Sequence, residues 1–177
     1  MSDPELLERL RAGDQTAFDN LFRAHYAQLV RVAEAMLRDR ASAEETVQDV
    51  MLELWRRRES LIVETSIRAY LFRATRNRAL NRIRHERVQR ASEPELSKQG
   101  FSQPADASLL EEEIAVAVAR ALDDLPARCR EVFELSRMHG LKYAEIAHAL
   151  DISVKTVEAQ MGKALRIMRE RLSAFLP

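Results

Sequence analysis

Residues 143–161 read Tyr-Ala-Glu-Ile-Ala-His-Ala-Leu-Asp-Ile-Ser-Val-Lys-Thr-Val-Glu-Ala-Gln-Met, and this stretch decides the fold. Ile146, Ala147, Leu150, Ile152 and Val157 are spaced as the apolar positions of two short helices, with small Ala147 where they cross. Asp151 stands at the turn, where a residue that tolerates left-handed backbone is needed. The pattern is that of a helix-turn-helix, a short helix over 143–150 and a longer one from Ser153 to about Leu172, whose second helix enters a DNA major groove. Val157 and Met161 turn inward, leaving Lys155, Thr156, Glu158, Ala159, Gly162, Lys163 and Arg166 facing outward beside Ser153. Such a face, polar and studded with small residues, suits close approach to DNA. A plain helical hairpin inside a core would not need it.

Helical periodicity extends outward in both directions. Upstream of the motif, Ser108 and Glu111 have capping-box spacing, Pro126 suits a first helical turn, and Gly140 suits a left-handed helix exit. In 91–107 the composition changes to Ser, Pro, Gln and Gly without periodicity, which reads as a flexible linker. Before it, Phe18, Leu21, Phe22, His25, Leu29, Val32, Ala33 and Met36 define one amphipathic helix over 17–38. Ser42 and Glu45 have capping-box spacing for the next, which buries Val47, Val50, Met51 and Leu54. A third long helix runs from Thr65 or Ser66 towards Arg90. With 46% hydrophobic and 32% charged residues, four glycines and five prolines, the expected class is all-α. Two small helical domains, 1–90 and 108–177, flank the linker.

Net charge is zero, but its distribution is not even. Residues 1–65 carry 9 basic and 13 acidic groups, residues 66–90 carry 8 and 1, residues 91–125 carry 2 and 8, and residues 126–177 carry 9 and 6. Two basic segments separated by an acidic one imply two contacts with a polyanion. In the first, Arg68, Arg73, Arg76, Arg78, Arg82, Arg84, Arg87 and Arg90 share a helix with Tyr70, Phe72, Asn77 and Asn81, and only Glu86 opposes them within it. Arginines neutralise phosphate, and aromatic rings stack on unpaired bases. On the preceding helix, Glu45, Gln48, Asp49, Leu52 and Arg56 lie opposite the Val47–Leu54 stripe, with Trp55 at the margin. A leucine among carboxylates and an amide marks a protein-binding surface.

Catalytic constellations are absent from the sequence. His25, His85, His139 and His148 have no metal-ligand spacing, and no Gly-rich phosphate loop occurs, so no enzyme activity and no cofactor are expected. Cys129, between Arg128 and Arg130, reads as small core filling, and a lone cysteine fits a reducing cytoplasm. The acidic start, Met1-Ser2-Asp3-Pro4-Glu5, lacks the features of a signal peptide.

These residues resemble a known family. Ala43-Glu44-Glu45-Thr46-Val47-Gln48-Asp49-Val50 with Trp55, continued by Ile67-Arg68-Ala69-Tyr70-Leu71-Phe72-Arg73-Ala74 and Arg76-Asn77, is similar to conserved region 2 of bacterial sigma factors. Leu125-Pro126, Arg130-Glu131-Val132-Phe133 and Gly140-Leu141-Lys142-Tyr143-Ala144-Glu145-Ile146-Ala147 resemble region 4. The two regions without others resemble the extracytoplasmic-function group. The resemblance implies that Glu45, Gln48, Asp49, Leu52 and Trp55 meet core RNA polymerase, at the β′ coiled coil, within a larger contact with β′ and β. It implies that the loop around 58–66 and Arg68, Tyr70, Arg73, Arg76, Asn77, Asn81, Arg84 and Arg87 engage the −10 element of promoter DNA. Ser153, Lys155, Thr156, Glu158, Ala159, Gly162, Lys163 and Arg166 would read the −35 element, and an anti-sigma protein would be a partner. Three positions depart from the usual pattern: Thr46 replaces a leucine, Asn81 an aspartate, and Glu158 an arginine. Ile152-Ser153-Val154-Lys155-Thr156-Val157-Glu158 also resembles LuxR-type regulators, so a DNA-binding activator with a sensor or dimerisation half is the second expectation.

Overall fold

A computed structural model describes residues 2–90 and 109–175. Among these, all regular structure is helical: α1 (Asp3–Arg11), α2 (Gln15–Leu37), α3 (Arg40–Arg56), a 3₁₀ turn at Arg58–Ser60, α4 (Ile67–Arg90), α5 (Leu109–Asp123), α6 (Ala127–Arg137), α7 (Tyr143–Leu150), α8 (Val154–Arg171) and a closing 3₁₀ turn at Ser173–Phe175. They divide into two compact units, one holding α1 to α4 and the other most of α5 to α8. The expected linker and the Ser108 half of the expected capping box lie outside the described residues.

In the first unit, α2 packs on α3 and α4, α3 packs on α4, and α1 packs on α2 and the first 3₁₀ turn. The core holds Leu10, Leu21, Leu29, Val30, Val47, Met51, Leu54, Ile67, Leu71 and Phe72, all buried. Only two residues separate α2 from α3. Arg38 closes α2 in the left-handed region at φ 56°, and Asp39 caps α3 by accepting from the Ser42 amide at 2.8 Å. Hydrogen bonding from the Ser42 hydroxyl, and then from this amide, lowers the Asp39 carboxyl pKa. The expected Ser42–Glu45 capping box is therefore corrected. Ser42 lies inside the first turn of a helix that starts earlier, because an aspartate just outside the periodic run is the better acceptor for its orphan donors. The short helix α1 went unforeseen. It opens with the Ser2 amide donating to Glu5 Oε2 at 3.3 Å and with a proline in its first turn.

In the second unit, α8 packs on α5 and α6. Ala121, Leu122, Leu125, Cys129, Ala164 and Met168 form its core cluster, and the Cys129 thiol donates to Gln160 Oε1 at 2.9 Å, as small core filling does. Pro126 stands one residue before the helix it introduces, as the N-cap of α6. Gly140 takes φ 66° after α6, and Asp151 takes φ 55° between α7 and α8. Both are the left-handed positions that the sequence requires there.

Candidate functional site

The α3 face is exposed as its periodicity demands. Glu45, Gln48, Asp49 and Arg56 are open to solvent, and Leu52 keeps 46% of its surface exposed. Trp55 is half-buried, its ring 5.1 Å from Phe18 and 4.6 Å from the Arg58 guanidinium. Phe18, Phe22 and Tyr26 continue from it along α2, with centroid separations of 6.5 and 4.5 Å, and the Gln48 amide reaches the Tyr26 hydroxyl at 3.5 Å. This half-exposed aromatic row lies beside the α3 face and enlarges it. The four-residue spacing of Phe18, Phe22 and Tyr26 was its only sequence signal, and it reads equally as core. Thr46, at a position where leucine is usual, is 1% exposed, and its hydroxyl donates to the Ser42 carbonyl at 2.7 Å. Its polar atom is thus satisfied within the helix.

The arginine helix is more paired than its sequence suggests. Arg82 binds Glu45 at 2.7 Å and lies 3.7 Å from Glu86, and Arg78 lies 3.4 Å from Asp49. The hydrogen bond to Glu45 raises the Arg82 pKa. Two counter-charges therefore come from α3, which a reading confined to α4 cannot supply. Tyr70, Arg73, Asn77, Asn81 and Arg84 follow one another at three- and four-residue steps and form the outward stripe of α4. The Arg84 guanidinium donates to Asn81 Oδ1 at 3.5 Å. Arg76 and Arg87 fall on the flank of that stripe. Arg68 turns inward instead, its guanidinium 6.0 Å from the Phe72 ring. Phe72, grouped by sequence with possible base-stacking rings, is 1% exposed and belongs to the core. Tyr70, by contrast, is half-buried. Partial burial raises its pKa.

On α8, Ser153 is the N-cap. Its hydroxyl oxygen accepts from the Thr156 amide at 3.0 Å and meets the Thr156 hydroxyl at 2.8 Å. Lys155, Glu158, Ala159, Gly162, Lys163 and Arg166 are exposed, Thr156 is half-buried, and Val157 and Met161 are buried as expected. Among the described residues, no ion pair involves Lys155, Glu158, Lys163 or Arg166. A Cβ added to Gly162 would meet nothing within 4 Å. Nothing inside the protein therefore calls for a glycine in mid-helix, where it costs stability relative to alanine.

Residues 21–88 match the family described as Sigma-70 region 2, and residues 115–168 match Sigma-70, region 4. The chain is 33% identical over 175 residues to the ECF RNA polymerase sigma factor SigM of Mycobacterium tuberculosis H37Rv, covering 99% of this chain and 85% of that one. It belongs to the extracytoplasmic-function sigma factors. SigK of Mycobacterium ulcerans, another ECF sigma factor, is 31% identical over 176 residues, covering 96% and 92% of the two chains. Among solved structures, CnrH in complex with the cytosolic domain of CnrY superposes with a TM-score of 0.67 at 26% identity, over 97% of both chains. RpoE of Bartonella quintana, crystallised with the anti-sigma factor NepR, shares the fold at a TM-score of 0.67 and 22% identity, over 88% of this chain and 96% of that one. The LuxR-type alternative is not favoured for this ECF sigma factor, because region 2 occupies the half where a sensor would stand. A sigma factor directs transcription initiation as a DNA-binding regulator rather than as an enzyme. No described helix is long and apolar enough to cross a membrane, and no described cluster of His, Cys, Asp and Glu is suited to a metal.

Proposed function

We propose that the chain divides promoter recognition among three faces, each with its own partner. The α3 face, Glu45, Gln48, Asp49 and Leu52 with Trp55, docks on core RNA polymerase through the β′ coiled coil, and the wider assembly engages β as well. The loop over 61–66 and the outward stripe of α4 meet the −10 element, with Tyr70 able to stack on an exposed base and Arg73, Arg76, Arg84 and Arg87 near phosphate. The α8 face reads the −35 element from Lys155 to Arg166. Ser153 contributes through its cap, which presents the first turn of α8. The domains run over 1–90 and 108–177 with a linker between. The protein has no catalysis of its own, acts in the cytoplasm and meets an anti-sigma protein.

The observation that carries this reading is the α8 face. It combines exposed cations, a carboxylate and a glycine beside which an added Cβ would meet nothing within 4 Å, in a family whose members direct RNA polymerase. Lysine donates to guanine O6 and N7, and glutamate accepts from the cytosine amino group, so G·C pairs are expected beneath Lys155, Glu158 and Lys163. The test is selection of promoter DNA from a random library by polymerase reconstituted with the full chain. Recovery of two conserved elements at fixed spacing, lost when the chain is omitted, supports the reading. Recovery of one element by the chain alone, with core polymerase adding nothing, overturns it.

A further inference from the structure

Helix α1 contains none of the residues assigned above, yet it holds both ends of the loop that precedes α4. Arg11 donates to the Leu61 carbonyl at 2.9 Å, where the loop begins. Asp3 Oδ2 accepts from the Ile67 amide at 3.0 Å, where the loop ends and α4 starts. The Ile67 donor is one of those a helix leaves without an internal partner. Local capping is in use too, since Ser66 Oγ accepts from the Ala69 amide at 3.0 Å. Even so, the Ile67 donor is served from a residue 64 positions away. A carboxylate at that end of α4 also lies favourably in the helix field.

The brace is itself anchored. Leu10 is fully buried, and Gly13 turns the chain at φ 78° with its amide on the Leu10 carbonyl at 2.9 Å. Arg9 pairs with Asp14 at 2.7 Å, and Asp14 caps α2 through the Ala17 amide at 3.1 Å. Asp3 and Arg11 are eight residues apart on a rigid helix, about 12 Å at 1.5 Å per residue. Helix α1 therefore sets the separation of the loop ends. Between them Ile62 projects with 78% of its surface exposed, an apolar tip held out of the core on fixed supports.

We propose that α1 braces the 61–66 loop, and that Asp3 and Arg11 are positioning residues for −10 recognition. They touch no DNA. They keep the loop in one conformation and fix its direction relative to the Tyr70–Arg84 stripe, so that its entropy is lost on folding rather than on binding. The inference rests on the reading that this loop and α4 meet the −10 element.

The test uses the full chain with core polymerase and a selected promoter carrying single-base changes in each element. Asp3→Ala and Arg11→Ala should each lower discrimination at −10 by about two- to tenfold, the range expected for one hydrogen bond. Core affinity and −35 discrimination should stay unchanged. Asp3→Asn, which retains an accepting oxygen, should restore most of the loss. Ile62→Ala serves as the loop control. If it flattens −10 discrimination while Asp3→Ala and Arg11→Ala do not, the brace is wrong and the loop assignment stands. If none of the three variants changes −10 discrimination, both fall together. Equal losses at −10 and −35, or no rescue by Asp3→Asn, would reduce α1 to general stability and overturn the inference.

Discussion

The two units present their charged faces in opposite ways. In the first, the basic helix α4 and the acidic face of α3 neutralise each other in part, through Arg82–Glu45 at 2.7 Å and Arg78–Asp49 at 3.4 Å. In the second, Lys155, Glu158, Lys163 and Arg166 stand exposed on α8, outside every ion pair among the described residues. The pairs in the first unit join one proposed interface to another, so a partner that engages Glu45 or Asp49 competes with α4 for them. Exposed pairs of this kind contribute about 0–1 kcal/mol, little enough to be exchanged when a partner arrives. The α8 face has no such exchange to make. As the proposed −35 reader it would bind without breaking an ion pair, with specificity carried by its side chains.

Leu52 should give the largest effect. A glutamate there places a charge at the centre of the proposed polymerase face and should weaken core binding by about 2 kcal/mol or more, as loss of an interface anchor does. Because Leu52 is half-exposed, the circular dichroism spectrum should not change, and a titration against core polymerase checks both points. Next in size, Glu158→Ala should relax discrimination at one cytosine of the −35 element by about 1–3 kcal/mol and leave the other positions nearly intact. A profile over all single-base changes reads this directly, and a uniform loss would remove Glu158 from readout.

Salt dependence sharpens the contrast inside α4. Arg84→Ala or Arg87→Ala should lower the slope of log affinity against log salt by about 0.9, the value for one phosphate contact. Arg82→Ala should change it much less, because Arg82 is already paired with Glu45 and Glu86. Equal changes for all three would show that the α3 pairs dissolve completely on DNA. The smallest effect has two signs. Gly162→Ala should stabilise the folded chain by about 0.5–1 kcal/mol, since nothing obstructs the added methyl. It should also weaken −35 binding, since on the proposed reading that methyl would face the groove. Thermal melting and duplex titration of one variant separate the two.

The same contrast explains what was legible in the sequence. The second unit was read almost to the residue. Its short helix over 143–150 stands as expected, Asp151 and Gly140 are left-handed, and the outward residues of α8 are exposed except for half-buried Thr156. All of that is local, set by spacing along one helix or across one turn. In the first unit the three long helices and the Val47–Leu54 stripe were legible for the same reason. The Ser42 cap was misread, because Asp39 one turn earlier accepts the Ser42 amide. What stayed hidden is non-local. The pairing of Arg82 with Glu45 spans 37 positions and that of Asp3 with Ile67 spans 64, and no periodicity encodes either. The nine-residue helix α1 went unread because its apolar stripe is short and finds its burial against α2 and the 3₁₀ turn, packing that spacing does not encode.

On the proposed reading, the α3 face brings RNA polymerase to DNA that α4 and α8 select. Transcription from a selected promoter, measured with core polymerase alone, with core and chain, and with core and the Leu52→Glu variant, tests it most directly. Promoter-specific transcripts should come from the second mixture only, with the variant falling to the level of core alone even though its isolated fold is intact. Undiminished specific transcription with Leu52→Glu at limiting polymerase would contradict it.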